Sequence, residues 1–148
     1  MIKPLLAFFL PALLATAAPA AAGYDLYVTA AVNNGYVIGS KIVTMNGLFR
    51  RTGQGGWQHL GHNDTSLRSV AFDPRDPRVI YTAANNGCWR SLDGGATWRI
   101  TTSWDMTEPL YVTVDPGAPD HVYLAIPDGI MVSRDRGQTW KRGENGLP

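Results

Sequence analysis

Apolar positions follow two different patterns along this chain. From Leu5 to Leu14 they form one dense run, with Lys3 ahead of it and alanines and other small residues behind it through Gly23. From Asp25 onward they break into short runs rich in Val, Ile, Tyr, Phe and Trp, each closed by Gly, Pro, Asn or Asp. Short β-branched and aromatic runs punctuated in this way predict strands. The middle of the chain gives Leu67–Asp73, Val79–Ala83, Gly87–Leu92 and Ala96–Thr101. The last part gives Leu110–Asp115, His121–Ala125, Gly129–Ser133 and Gln138–Arg142. Upstream, the same reading gives Asp25–Ala31, Lys41–Met45, Leu48–Arg51 and Gly56–Leu60. The separators "DPRDP", "NNG" and "LDGG", then "DPGAP", "PDG" and "RDRG", are turn sequences.

The dense run at the start is a different object. A charge, an apolar stretch and then small residues make a secretory signal. Pro11 interrupts the run, which is well short of the ~20 residues needed to span a bilayer. Residues 1–22 are therefore expected to be removed, with cleavage near Ala20 or Ala22, and the protein to be secreted or periplasmic. No later stretch is long and apolar enough to cross a membrane.

The strand pattern repeats. "SLDGGATW" from Ser91 to Trp98 returns as "SRDRGQTW" from Ser133 to Trp140. Asp73, Pro74, Pro77, Tyr81, Gly87 and Trp98 match Asp115, Pro116, Pro119, Tyr123, Gly129 and Trp140, every pair 42 apart. A worn earlier copy keeps Gly47, Gly55 and Trp57 but lacks the serine, aspartate and threonine. Four short strands per unit of this length is the pattern of a propeller blade. The chain thus reads as a partial β-propeller of about three four-stranded antiparallel blades. The expected units are a degenerate first blade at 23–62, a second at 63–104, and a third with an interrupted C-terminus at 105–148.

The repeated letters have structural uses. Asp93 and Asp135 can accept backbone N–H bonds from two residues on, closing a turn. Ser91 and Ser133 add a short side-chain bond. Gly95 and Gly137 supply a backbone conformation that side chains disfavour. Trp98 and Trp140 begin the fourth strand and bury a ring between neighbouring blades. Thr97 and Thr139 complete the pattern.

S-x-D-x-G-x-T-W resembles the Asp box, or BNR repeat, and it stands here in two full copies. The preceding "DPRDPRVIY" and "DPGAPDHVY" are similar to the companion segment of one group of Asp-box propellers. That group includes photosystem II stability and assembly factors, sortilin-type receptors and xyloglucan-degrading glycosidases. The resemblance covers nearly all of the chain after the leader. It implies a propeller whose boxes lie on hairpins away from any ligand site.

Composition narrows the function. The formal charge is +1, so neither nucleic acid nor an acidic membrane surface is indicated as partner. The single cysteine, Cys88, rules out an internal disulfide framework and reads as a small buried hydrophobe.

If strands alternate direction within each blade, the second-to-third and fourth-to-first connections share one face, opposite the boxes. That face holds the candidate ligand residues: His62, Asp64, Asn85, Asn86, Trp104, Asp105, Glu108 and Asp128. "SWDMTEP" combines an aromatic ring with carboxylates, the mixture of a sugar site. It also suits a solvated loop whose tryptophan tucks under the next blade, the plainer reading. His59, His62 and Asp64 are too few for a zinc site, and no metal or cofactor is expected. Arg50, Arg51, Arg68, Arg90 and Arg99 do not match the arginine cluster of a sialidase. The expectation is a module that binds a protein partner or scaffolds assembly, without robust hydrolase activity. The alternative is a fragment of a xyloglucanase- or sialidase-like glycoside hydrolase, or of a carbohydrate-binding propeller.

Propellers close with about four to eight blades. Three leave two apolar blade faces uncovered, for a second copy to complete or for further repeats of a longer product to fill. "GENGLP" reads as an interrupted repeat.

Overall fold

The computed structural model describes residues 25–31, 45–53, 55–61 and 63–143. The leader and "ENGLP" beyond Gly143 lie outside this set. Among the described residues, eleven strands form three antiparallel sheets. The first sheet holds β1 (Tyr27–Ala30), β2 (Gly47–Arg51) and β3 (Trp57–Leu60), in that order. The second holds β4 (Ser69–Asp73), β5 (Asp76–Ala84), β6 (Gly87–Ser91) and β7 (Arg99–Ile100). The third holds β8 (Tyr111–Val114), β9 (Val122–Ile126), β10 (Gly129–Ser133) and β11 (Lys141–Arg142). Every neighbour in a sheet is a neighbour in sequence, as in a blade.

The first sheet departs from expectation. Tyr27–Ala30, read as a first strand, pairs directly with Gly47–Arg51, Ala30 lying opposite Gly47. In the second sheet Ala84 lies opposite Gly87, and in the third Ile126 lies opposite Gly129. Tyr27–Ala30 therefore holds the second-strand position beside Gly47–Arg51, the place expected of Lys41–Met45. Lys41–Thr44 lie outside the described residues.

The fourth strands are also shorter than expected, because the residues ahead of them are tied into the preceding turn. Asp93 Oδ1 accepts the Thr97 N–H at 2.8 Å and the Ser91 hydroxyl at 2.8 Å, while Oδ2 accepts the Thr97 hydroxyl at 2.6 Å. Ser91 Oγ in turn accepts the Gly95 N–H at 2.8 Å. The second copy reproduces this: Asp135 holds Thr139 N–H at 2.8 Å and its hydroxyl at 2.6 Å, and Ser133 Oγ holds Gly137 N–H at 2.7 Å. The aspartates thus reach four residues on, not two. The N–H two residues beyond each aspartate is that of Gly95 or Gly137, and it is taken by the serine oxygen. The shorter reach occurs instead at Asp73, Asp115 and Asp64, which accept from Arg75, Gly117 and Ser66.

The core lies between sheets. Val79, Tyr81, Ala83 and Cys88 of the second pack against Val112, Val114, Val122, Leu124 and Ile126 of the third. Leu48 and Leu60 of the first pack against Ile80, with Tyr27, Val70, Phe72 and Trp98 around them. Fully burying side chains of this size contributes about 1.5–3 kcal/mol each. Cys88 is buried as expected, and burial pushes its thiol up to about 12.

The box turns act at these seams. A Cβ on Gly95 would lie 2.9 Å from Leu60 Cβ, and one on Gly137 would lie 3.2 Å from the Tyr81 ring. Both glycines also have positive φ, 91° and 75°. The Trp98 indole lies on Gly61, where a Cβ would come 2.0 Å from its nitrogen. Trp140 Nε1 donates to Thr101 Oγ1 at 3.4 Å. Each box therefore packs its glycine and tryptophan onto the preceding sheet.

Candidate functional site

Two hydrogen bonds establish which loops share a face. Asn85, in the turn between β5 and β6, receives the Glu108 N–H on its carbonyl at 2.8 Å. Its own N–H donates to Ser66 Oγ at 3.1 Å. The β5–β6 turn thus lies between the loop preceding β4 and the loop preceding β8. On the opposite side, the box residues Gly94 and Arg136 donate to the carbonyls of Arg78 and Asp120 at 2.8 and 2.9 Å.

Asn85 is the hub of the loop face. Ser66, whose oxygen accepts from Asn85, donates its hydroxyl to Asp64 Oδ1 at 2.6 Å, and Arg68 Nη2 donates to Asn85 Oδ1 at 2.8 Å. The structure therefore joins Asp64 to Asn85 through Ser66, and Glu108 to Asn85 by its main-chain N–H. Asn86 instead accepts the Trp89 indole N–H at 2.9 Å. Asp128 forms an ion pair with Arg142 of its own sheet. Asp105 accepts the Ser103 hydroxyl two residues back. His62 lies outside the described residues. Among the described residues no three His, Cys, Asp or Glu side chains gather closely enough to hold a metal ion.

The loop between β7 and β8 is pinned from below and exposed above. Met106 and Pro109 are buried, whereas Trp104 is 91% exposed. The tryptophan does not tuck under the next blade, because Met106 and Pro109 take the sheltered positions. Glu108 has φ of 58°, held by its N–H bond to Asn85. Beside this loop, Leu110 and Tyr111 are exposed at the start of β8.

The sequence reading gave Arg68 and Tyr111 no place on this face. A signal for Tyr111 exists. The repeat aligns it with Ser69, whose hydroxyl accepts the Val112 N–H at 3.0 Å where the inner strands β4 and β8 meet. A large ring in place of that serine is a departure between otherwise matched units.

A second polar cluster lies at the opposite end of the seam. Arg75 binds Asp73 Oδ2 at 2.9 Å and Asp120 Oδ1 of the third sheet at 2.7 Å. Arg136 Nη2 approaches the same buried Asp73 at 3.4 Å. The Arg75 hydrogen bonds hold the Asp73 carboxyl below its usual range, outweighing its desolvation. This ion cluster fastens two blades together.

No protein-family model matches the chain, and no curated protein matches it. Solved structures do. The GH74 xyloglucanase from Xanthomonas campestris superposes on 80% of this chain with a TM-score of 0.56 and 19% identity. An ancestral GH74 enzyme does so over 66% with a TM-score of 0.55 and 22% identity. YCF48 from Cyanidioschyzon merolae overlaps 55% of this chain with a TM-score of 0.45 and 19% identity. The chain spans 21% and 15% of the two GH74 structures' lengths. At these identities the GH74 likenesses show the fold: three antiparallel sheets stacked as blades of a partial β-propeller.

Proposed function

We propose that this chain is an exported binding module that holds a protein partner on its loop-bearing face. One observation carries the reading: Trp104 stands 91% exposed on a loop anchored by buried Met106 and Pro109. A large ring held out on a pinned loop suits a binding hot spot. Leu110 and Tyr111 extend the apolar surface. The aspartates support binding over hydrolysis. Asp64, Asp105 and Asp128 each take a donor from their own surroundings. Ordinary glycoside hydrolysis needs a pair of carboxylates flanking the scissile bond. The leader, read from the sequence, supports secretion or a periplasmic location.

A glycan is the second reading, favoured by Trp104 standing next to Asp105, a ring for stacking beside a hydrogen-bonding carboxylate. Paired affinity captures from periplasmic or secreted extract separate the two readings, using the chain and its Trp104→Ala variant. A partner identified by mass spectrometry should then bind as a purified protein, at least tenfold more weakly to the variant. Xyloglucan oligosaccharides should leave the tryptophan fluorescence unchanged. Quenching by those sugars that is lost in Trp104→Ala would replace the protein reading with the glycan one. Turnover of a glycan abolished by Glu108→Gln would make the chain an enzyme.

A further inference from the structure

Arginine is doubled at one place in the second blade. Arg90 of β6 lies directly opposite Arg99 of β7. Residues opposite each other in an antiparallel pair share one side of the sheet, and like charges placed so destabilise it. The blade architecture does not require the pair. The same two positions hold Val132 and Lys141 in the third blade and Arg50 and Gln58 in the first. Each of those pairs carries a single cation.

Both side chains turn toward the third blade. Arg90 stands two residues beyond Cys88, which packs into that seam, so strand alternation sends it the same way. Its guanidinium donates there to the main-chain carbonyl of Arg136. Arg99, opposite Arg90, shares its side of the sheet. Where the box turn of the third blade comes over them, Arg90, Arg99, Ile100, Thr101, Gly137 and Gln138 line a small pocket of about 190 Å³. Every one of these residues belongs to the seam between the second and third blades.

The pocket has donors to spare and lacks acceptors. The Thr101 hydroxyl is committed: it donates to the Cys88 carbonyl at 3.2 Å and accepts the Trp140 indole N–H at 3.4 Å. Gln138 gives one amide N–H to the Asp135 carbonyl at 3.1 Å and keeps a second. Arg90 spends one nitrogen on the Arg136 carbonyl. Among the described residues, the Arg99 side chain makes neither a hydrogen bond nor an ion pair, and Arg90 makes no ion pair. No Asp or Glu is among the described residues that line the pocket.

We infer that this pocket binds a tetrahedral oxyanion, phosphate or sulfate, between the guanidiniums of Arg90 and Arg99. A guanidinium presents its donors as a fork that takes two oxygens at once. A tetrahedral ion has oxygens for both forks, whereas a carboxylate has enough for one. Two negative charges also match two cations and relieve the repulsion built into the strand pair. The pocket adjoins the box turn, so it is separate from the loop face that carries Trp104.

Isothermal titration calorimetry on the exported chain tests this, with inorganic phosphate, sulfate and acetate as probes. Ionic strength is held constant so that screening does not vary between them. Phosphate and sulfate should each bind at one site per chain, and acetate more weakly than either. Arg99→Gln should weaken both oxyanions roughly tenfold or more, as expected for lost hydrogen bonds to a charged group. Arg99 is exposed, so this variant should keep the circular dichroism spectrum of the wild type. Arg78→Gln removes an arginine that is paired with Asp76 outside the pocket, and it should leave the affinity unchanged. Phenyl phosphate identifies the source: affinity equal to that of the free ion assigns a phosphate ester, and weaker affinity assigns the free ion. No saturable binding of phosphate or sulfate would overturn the inference. So would an Arg99→Gln chain that binds them as the wild type does, or acetate binding as tightly as phosphate.

Discussion

The hydroxyl of Tyr81 donates across the seam to the main-chain carbonyl of Arg136, 3.1 Å away. The Arg90 guanidinium donates to the same carbonyl from the neighbouring strand. Arg136 presents that oxygen from a left-handed conformation, φ 60°, where the first box has Gly94 at 74°. A Cβ meets nothing within 4 Å at the Gly94 position, so this place in the turn has room for a side chain and only the backbone resists one. The bond joins a strand of one blade to the box of the next, so its removal reports on the seam.

Tyr81→Phe removes the hydrogen bond and keeps the ring. Arg90 still satisfies the carbonyl, so the expected loss is about 0.5–1.5 kcal/mol. Tyr81→Ala also empties the space under Gly137 and should cost about 3–5 kcal/mol. Urea unfolding of both variants checks this. Equal losses would mean that the ring contributes nothing to the seam.

Ser133→Ala deletes the oxygen that accepts the Gly137 N–H inside a buried turn. A buried donor left without a partner costs about 1–3 kcal/mol. Ser91→Ala should behave alike, since Gly95 depends on it in the same way. Thermal unfolding measures both. A Ser133→Ala protein as stable as the wild type would remove the serine from the account of the turn.

Acid should weaken the fold through the boxes. The Thr97 hydroxyl and N–H hold Asp93 down to about 2, and the Thr139 hydroxyl and N–H do the same for Asp135. Asp73 is lowered in the same direction by Arg75. A carboxyl depressed in the folded state contributes stability that is fully present above its unfolded pKa and is lost as pH falls through the folded one. The unfolding temperature should therefore fall between about pH 4 and pH 2. Asp93→Asn with Asp135→Asn should start lower at neutral pH and fall less steeply. A parallel slope in the double variant would place the acid sensitivity elsewhere.

Cys88 should be silent toward thiol reagents. It is wholly buried, and burial raises its thiol to about 12, so at pH 8 little thiolate forms and no reagent reaches it. Labelling should require urea. Rapid modification of the native protein would show that the seam between the second and third blades opens.

The strand pattern was legible wherever the repeat was intact. Gly129–Ser133 falls on its expected bounds. The box aspartates were recognised as turn-formers, though their reach was misjudged because the serine competes for the nearer N–H. The first unit failed for another reason. With the serine, aspartate and threonine gone, only Gly47, Gly55 and Trp57 marked the register, and nothing local distinguishes a first strand from a second. What fixes Tyr27–Ala30 is its pairing with Gly47–Arg51, a contact across sequence that letters alone do not specify. On the loop face, Asn85 was singled out, but its link through Ser66 to Asp64 depends on two loops meeting, which single-residue reading cannot anticipate.

The brevity of β7 and β11 has a wider consequence. Each is two residues long and three of their four side chains are cationic, so the outer rims of the second and third blades offer almost no free ladder to an incoming strand. The serine–aspartate corners that consume those residues thereby also guard against amyloid-like growth by edge addition.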